Sequence, residues 1–275
     1  MANVERGYDI IGNIAIVKFS RGAKLGEKKK FALQFLKGHK SIRTILEKSE
    51  RFKGRLRTLR TKFVAGEKTK EVLYKENGCT FRFNVESCYF SPRLASERLE
   101  IAKLVKKGEK VLVMFGGVAP FAIVIAKLAK PAKVVSVELG KECSKYALQN
   151  VKMNKVDVEI VQGDVRKVLP KLKENAKKSS IFGASKTKSF EGFDRIVMAR
   201  PNLKDSFLDV AFKVIKNRGI IHYYGFYRES DKDEMLRMIL EEAKRAKKKI
   251  KILNVKKAGD IGVRKFRYRA DLKIL

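Results

Sequence analysis

Acidic residues are scarce in this chain of 275 residues: 30 Asp and Glu stand against 64 Lys and Arg, a formal charge of +34. Cysteine and histidine are scarcer, at three and two. Cys79, Cys88 and Cys143 are odd in number and widely spaced, and His39 and His222 complete no CxxC or HxxxH set, which argues against zinc, any other metal site and a disulfide scaffold. No run of eighteen apolar residues occurs, and the first thirty residues hold no apolar stretch ahead of a small-residue cleavage site. A soluble cytoplasmic protein without a membrane span is expected.

Hydrophobic residues still make up 44% of the chain, enough for one or two cores, so a disordered polybasic tail is excluded. The charge is spread along the chain, with 20 basic against 8 acidic residues in 1–78 and 44 against 22 in 79–275. A lysine-rich genome or a hot, salty cytoplasm would raise Glu together with Lys, and here Glu does not keep pace. A basic surface of this kind is ordinarily neutralised by a phosphate backbone, so nucleic acid is the expected partner.

From residue 109 onward, short apolar runs alternate with helical spacing. Lys110 to Phe115 reads as a strand ending in Gly116-Gly117, and Ala119 to Lys130 as a helix. Strands follow at Lys133 to Glu138, Val158 to Val161, Phe193 to Met198 and Gly219 to Tyr224, with helices at Cys143 to Met153, Phe207 to Ile215 and Asp233 to Lys247. Strands separated by helices predict a parallel sheet covered on both faces. Lys249 to Val255 and Val263 to Ile274 have only the short link Lys257 to Gly262 between them, too little for a crossover helix, so an antiparallel hairpin is expected at the sheet edge.

Residues 1–105 have a different texture and read as a small basic α+β domain, leaving 106–275 as the α/β domain. Tyr8 to Val17 looks like a hairpin bent at Gly12-Asn13, His39 to Leu46 looks helical, and Cys79 to Val85 alternates as a strand. Arg51 to Lys62 carries six basic residues in twelve and no acid. It reads as a phosphate track, the plainer alternative being a charged strand edge. Lys171 to Ser189, rich in Lys, Ser and Gly, reads as a surface loop.

A nucleotide-like cofactor in such a sheet needs a turn free of side chains after the first strand and an acid at the tip of the second for ribose hydroxyls. Met114-Phe-Gly-Gly-Val-Ala-Pro-Phe121 supplies the turn, Glu138 the acid, and Asp164 at the third strand tip could accept from an adenine amino group. Helix caps or loop carboxylates are the alternative for both acids. No third glycine completes G-x-G-x-x-G, which disfavours a dinucleotide enzyme.

Asn77-Gly-Cys-Thr-Phe81, Tyr89-Phe-Ser-Pro-Arg-Leu-Ala-Ser-Glu-Arg98, the Gly-Gly turn and Gly219-Ile-Ile-His-Tyr-Tyr224 together resemble the archaeal and eukaryotic tRNA (guanine-37-N1) methyltransferases, from about Tyr8 to the C-terminus. Their sister, the wybutosine-pathway aminocarboxypropyl transferase, shares the fold, but the string after Phe-Ser-Pro favours the methyltransferase. The resemblance implies a Rossmann-like class I methyltransferase domain with a C-terminal antiparallel hairpin, preceded by a small α+β RNA-binding domain. It further implies S-adenosylmethionine as cofactor, the tRNA anticodon stem-loop around guanosine 37 as partner, a monomer, and no N-terminal accessory domain of the kind longer members carry.

The N1 of neutral guanine is protonated, so methyl transfer needs a base for that proton and a cation near O6. By resemblance Glu97 is the general base and Arg57 the cation. A surface helix residue and a phosphate contact are the respective alternatives. The resemblance also places Tyr89, Arg93 and Pro201 against the target base, and Arg98, Phe115, Gly117, Glu138, Leu139, Asp164 and Ala199 around the cofactor. An aromatic, basic rim suits a base splayed out of an RNA loop.

Three departures from the family pattern stand out. Val113 replaces the usual Asp, Ala119 a usual Gly, and Ala199-Arg200-Pro201 the usual Asn-Leu-Pro. They leave open an aminocarboxypropyl transfer, methylation of a wybutosine precursor, or a non-catalytic tRNA-binding protein with a decayed pocket. The joint presence of Arg57, Glu97, Glu138 and Asp164 speaks against decay.

Overall fold

The computed structural model describes residues 4–49, 58–172 and 192–275. The N-terminal part is a four-stranded sheet of β1 (Val4–Ile11), β2 (Ile14–Phe19), β3 (Thr44–Lys48) and β4 (Thr61–Gly66), in that order. β1 and β2 form the hairpin expected at Gly12-Asn13. The helix expected over His39 to Leu46 is not there. It lies upstream as α1 (Leu25–Gly38), and Thr44–Lys48 is a strand parallel to β2. The physical reason is topological: a parallel β2–β3 pair needs a crossover, and only α1 is long enough to make it. Its first two turns are rich in lysine, which hides the apolar face; Ala32 and Phe35 pack on Val17, Phe19, Ile45 and Val64.

A two-stranded hairpin follows, β5 (Glu71–Glu76) and β6 (Cys79–Asn84), turned by Asn77 and Gly78, both at positive φ as a tight hairpin of this length requires. The outer edge of β6 is clamped by a later helix, α4 (Lys141–Asn154). Asn154 donates to the Thr80 carbonyl (2.7 Å) and accepts from its N–H (2.8 Å), and Asn150 does the same at Arg82 (3.1 and 2.8 Å). Four helical residues rise about as far as two strand residues, about 6 Å against about 6.6 Å, so two amides four apart reach alternate peptide groups of one edge.

The main sheet has seven strands: β7 (Lys110–Met114), β8 (Lys133–Glu138), β9 (Glu159–Gln162), β10 (Phe193–Met198), β11 (Ile215–Arg228), β12 (Ile250–Gly262) and β13 (Lys265–Ile274). Their order is β12-β13-β11-β10-β7-β8-β9. β9 to β11 are mutually parallel through β7 and β8, and β13 and β12 close the β11 edge antiparallel, the hairpin expected from sequence. The segment Lys257 to Gly262, read as a link, instead continues β12. Three register shifts let it stay paired with β13, and the chain turns at Val263-Arg264.

Alternate residues of β7 serve two cores. Val111 and Val113 pack beneath α2 (Ala95–Leu104), α3 (Pro120–Ala129) and α4, while Leu112 and Met114 pack on the other face. That second face is covered by a helix over 165–172, α5, with α6 (Leu208–Val214) and α7 (Lys232–Arg245). The chain winds outward from β7 to β9 and then back to β10, so strand order reverses beside β7, where an open α/β sheet forms a crevice at its carboxyl ends. Among the described residues no helix is long and apolar enough to cross a membrane, and no group of three His, Cys, Asp or Glu is placed to hold a metal.

Arg98 of α2 is buried against Glu76 of β5, itself buried, and its guanidinium lies over Phe90 (4.9 Å) and Phe121 (5.9 Å). Removing one partner of such a pair strands the other charge in the core. Glu76→Gln is expected to destabilise the protein by about 3 kcal/mol or more in denaturant unfolding. A loss below about 1 kcal/mol would show that the pair does not hold the hairpin to α2.

Candidate active site

A cleft of about 970 Å³ opens at the carboxyl ends of β7, β8, β9 and β10. Its floor is the turn from β7 into α3, where Phe115, Gly117 and Ala119 all take positive φ. Left-handed backbone at Phe115 and Ala119 is strain of the kind that persists at ligand sites. Gly116 is required on steric grounds, because a Cβ there would lie 2.1 Å from Ser136 Oγ on the neighbouring strand. Glu138, at the tip of β8, accepts from the N–H of Gly117 (2.7 Å) and of Gly140 (2.7 Å). Burial pushes its carboxyl above the ordinary range, with those N–H groups opposing. Two donors leave a carboxylate about two acceptor positions, which suits ribose hydroxyls. Asp164, at the tip of β9, also lines the cleft; its Oδ1 accepts from Arg166 N–H (2.9 Å) at the start of α5. Helix capping and a place in the cleft therefore coexist at this residue.

Of the residues singled out in the sequence, Tyr89, Phe115, Gly117, Glu138, Leu139, Asp164, Ala199 and Pro201 all line this cleft. Arg93 does not. It lines an adjoining groove that runs toward the N-terminal sheet, is 75% exposed, and pairs with Asp9 at 3.2 Å. Arg98 lines neither, because Glu76 and the Ser91 carbonyl take up its guanidinium. The structure thus gives Arg98 a place in the core rather than at the cofactor. Arg57 and most of the Arg51 to Lys62 track lie outside the described residues, as do 173–189 of the Lys171 to Ser189 loop.

Glu97 is not a surface helix residue: it is 6% exposed. Its Oε1 accepts from the Tyr224 hydroxyl (2.8 Å) and from Arg269 Nη1 (2.6 Å), and Lys256 Nζ lies 3.6 Å from Oε2. Glu97 is absent from the cleft lining, whereas Tyr224 is part of it, so the tyrosine stands between the carboxylate and the cleft. Behind Glu97 runs a buried chain of charges. Arg269 also binds Glu100 (2.7 Å) and Asp271 (2.9 Å), Asp271 meets His222 Nδ1 (2.6 Å), and His222 Nε2 meets Arg195 Nη1 (2.7 Å), which is itself paired with Glu109. Burial holds His222 below the usual imidazole range despite Asp271, so the neutral ring donates to Asp271 and accepts from Arg195.

Sequence reasoning missed Tyr224, Arg200, Arg267 and Arg269 as site residues. Arg200 lines the cleft and is anchored by Nη1 to the Tyr223 hydroxyl (3.0 Å) and by Nη2 to the carbonyls of Leu203 and Asp205. The usable signal was in β13: Arg267, Arg269 and Asp271 alternate on one face of a strand that has to be buried beside β11.

Sheet, crevice and acid-bearing strand tips define a class I methyltransferase with a Rossmann-like core. The TRM5/TYW2 methyltransferase domain family matches residues 72–253, and the TYW2 N-terminal domain matches residues 1–69. A tRNA (guanine(37)-N(1))/4-demethylwyosine(37)-methyltransferase, Taw22 of Nanoarchaeum equitans, is 33% identical over 98% of this chain and 99% of its own. The crystal structure of Trm5b from Pyrococcus abyssi superposes with a TM-score of 0.81 at 32% identity, covering 98% of this chain and 74% of that one. A complex of aTrm5 with tRNALeu gives 0.78 at 25% identity, covering 99% and 73%. The chain belongs to the TRM5/TYW2 methyltransferase family, whose cofactor is S-adenosylmethionine.

Ribose hydroxyls donate only usefully to an ionised Glu138, and its carboxyl protonates above the ordinary carboxylate range. Affinity for S-adenosylhomocysteine is therefore expected to be full near neutral pH and to fall as pH drops toward and through that raised pKa. Titration calorimetry from pH 8 to 5 measures it, and Glu138→Gln should bind weakly with a flatter profile. Equal affinity across this range would remove Glu138 from the ribose.

Proposed function

We propose that this protein transfers the methyl group of S-adenosylmethionine to N1 of guanosine 37 in tRNA, acting as a monomer on the anticodon stem-loop. The observation that carries the reading is the placement of one sequence string. Tyr89 lines the cleft, Arg93 lines the groove beside it, and Glu97 is held behind the cleft wall by Tyr224. Taw22 of Nanoarchaeum equitans and Trm5b of Pyrococcus abyssi, both named for methylation at this nucleotide, support the same choice.

In this reading the Phe115 to Gly117 turn and Glu138 would hold S-adenosylmethionine, Glu138 by its ribose hydroxyls, and the bound cofactor would supply an electrophilic methyl on a sulfonium. Tyr89 and Pro201 flank the base. Glu97 accepts the N1 proton, and the Tyr224 hydroxyl connects it to the cleft: the phenol oxygen takes the proton from N1 as its own passes to Glu97 Oε1. Arg269 holds that oxygen in place, and Arg57 meets O6 as charge develops there. The basic residues of 1–105, Arg51 to Lys62 among them, grip the phosphate backbone without reading sequence.

A second reading keeps the nucleotide and changes the chemistry: a wybutosine-pathway transfer, an aminocarboxypropyl group or a methyl onto a modified guanosine 37. It is favoured by the match of residues 1–69 to the TYW2 N-terminal domain and by the double specificity in the name of the Nanoarchaeum relative.

The deciding experiment incubates the protein with unmodified tRNA bearing guanosine 37 and with cofactor labelled either on the methyl or on the aminocarboxypropyl group. Methyl label on N1 is the expected result, and aminocarboxypropyl label would establish the second chemistry. Glu97→Gln should lower the single-turnover rate by about 10²- to 10⁴-fold with RNA affinity unchanged. Tyr224→Phe should lower it too, and an unaffected rate there would exclude the tyrosine link. Methylation persisting on a transcript with adenosine at that position would refute the target.

A further inference from the structure

Arg267 and Arg269 sit two residues apart on the same face of β13 and have opposite surroundings. Arg269 is matched by three carboxylates. Arg267 is 7% exposed, and among the described residues its guanidinium makes no hydrogen bond and no ion pair; its one recorded contact is with the ring of Phe226 at 5.1 Å. An arginine buried this far, whose guanidinium meets only an aromatic face and the open passage it lines, carries a desolvation cost that a cation–π contact offsets only in part. The two acids lining the groove do not relieve it: Asp9 is committed to Arg93, and Asp260 makes no recorded pair with it. Across the strand from Arg267 stands Gly259 at a register shift of β12, with no side chain to cover the guanidinium.

Its position gives the missing partner a direction. Tyr89, Leu94 and Arg267 are the three residues that line both the cleft and the groove, so they form the passage between them. Glu138 and Asp164 lie on the far side of the sheet order from β13, at the tips of β8 and β9. A cofactor seated on those acids leaves the Arg267 side to whatever enters from the groove. On the reading above, that is a nucleotide, and a nucleotide whose base passes between Tyr89 and Leu94 brings its backbone phosphate to this passage.

We propose that Arg267 is an anion site for an RNA backbone phosphate flanking guanosine 37, and that it holds the splayed nucleotide at the mouth of the cleft. The planar fork of a guanidinium matches two phosphate oxygens, and the site is left unpaired in the free protein so that the phosphate completes it. This rests on the tRNA reading but concerns binding alone, so the two can fail separately.

The test compares Arg267→Met and Arg267→Lys with the parent protein in three measurements. Arg267→Met should raise the melting temperature of the free protein, since it removes an unpaired buried charge; a merely structural arginine would give the opposite sign. It should weaken binding of an anticodon stem-loop about tenfold and lower the slope of log affinity against log salt by about one, while S-adenosylhomocysteine binding stays the same. Arg267→Lys should keep the slope. A stem-loop with a neutral methylphosphonate at one of the two linkages flanking guanosine 37 should bind the parent protein about tenfold more weakly and lose nothing more with Arg267→Met.

An unchanged salt slope in Arg267→Met overturns the proposal, as does lost cofactor affinity with RNA affinity retained, which would give the guanidinium to the cofactor carboxylate. Should Arg267→Met fail to fold, the methylphosphonate arm decides on the parent protein: native affinity at both linkages refutes the site. An Arg267-dependent slope without methyl transfer would refute the reaction and keep the site; full transfer with an Arg267-independent slope would do the reverse.

Discussion

The ion pair between Arg269 and Glu97 is the constraint on which the catalytic side of the molecule depends. It joins the last strand of the chain to the helix that carries Tyr89 to Arg98 at its head, across 172 residues of sequence. A fully buried guanidinium is tolerated only because Glu97, Glu100 and Asp271 converge on it. That convergence fixes the C-terminal hairpin against α2 and, through the Tyr224 hydroxyl, fixes where Glu97 can point. Removing Arg269 would leave three carboxylates crowded together in the interior, so the hairpin is part of the site's frame rather than an edge ornament.

The parallel strands, the Gly-Gly turn and the acids at the tips of β8 and β9 were legible because each follows from local pattern: an apolar run, a turn residue, an acid at a fixed offset. Eight of the cleft residues came from that pattern together with the family string. What escaped was set by pairing at long range. Lysines along α1 concealed a helix that the parallel pairing of β2 and β3 demands, and the segment His39 to Leu46 is a turn that becomes strand only from Thr44, with Ile42 and Ile45 in the core beneath α1. The resemblance implies a place at the cofactor for Arg98, yet one position along a helix from Glu97 turns a side chain by about 100°, here toward Glu76. Arg267 and Arg269 carry no local signal, because their burial depends on β13 pairing with both β12 and β11.

The +34 charge is correspondingly less uniform than composition suggests. Arg98, Arg195, Arg200 and Arg269 are buried and engaged inside the protein, so these four cations are unavailable to RNA; because Arg98, Arg195 and Arg269 are matched by acids, the excess itself stays with the other basic residues. The cations left for a phosphate backbone are those on the faces, with Arg93 at the edge of the groove. On the proposed function their grip is indifferent to sequence, and selection of one guanine is left to a few contacts in a narrow passage.

The amide clamp of Asn150 and Asn154 on β6 reaches further than the hairpin it holds. The partner strand β5 is itself gripped from the other side, where Asn13 accepts from the Leu73 N–H (2.7 Å) and donates to the Glu71 carbonyl (3.3 Å), and Gly12 lies so close to the Leu73 carbonyl that no side chain would fit. The hairpin is thus bolted to the N-terminal sheet on one edge and to α4 on the other. The groove between the two sheets then has a set span. On the proposed function it would work as a gauge, admitting an RNA loop only when the loop's own fold presents a nucleotide at the depth of the passage.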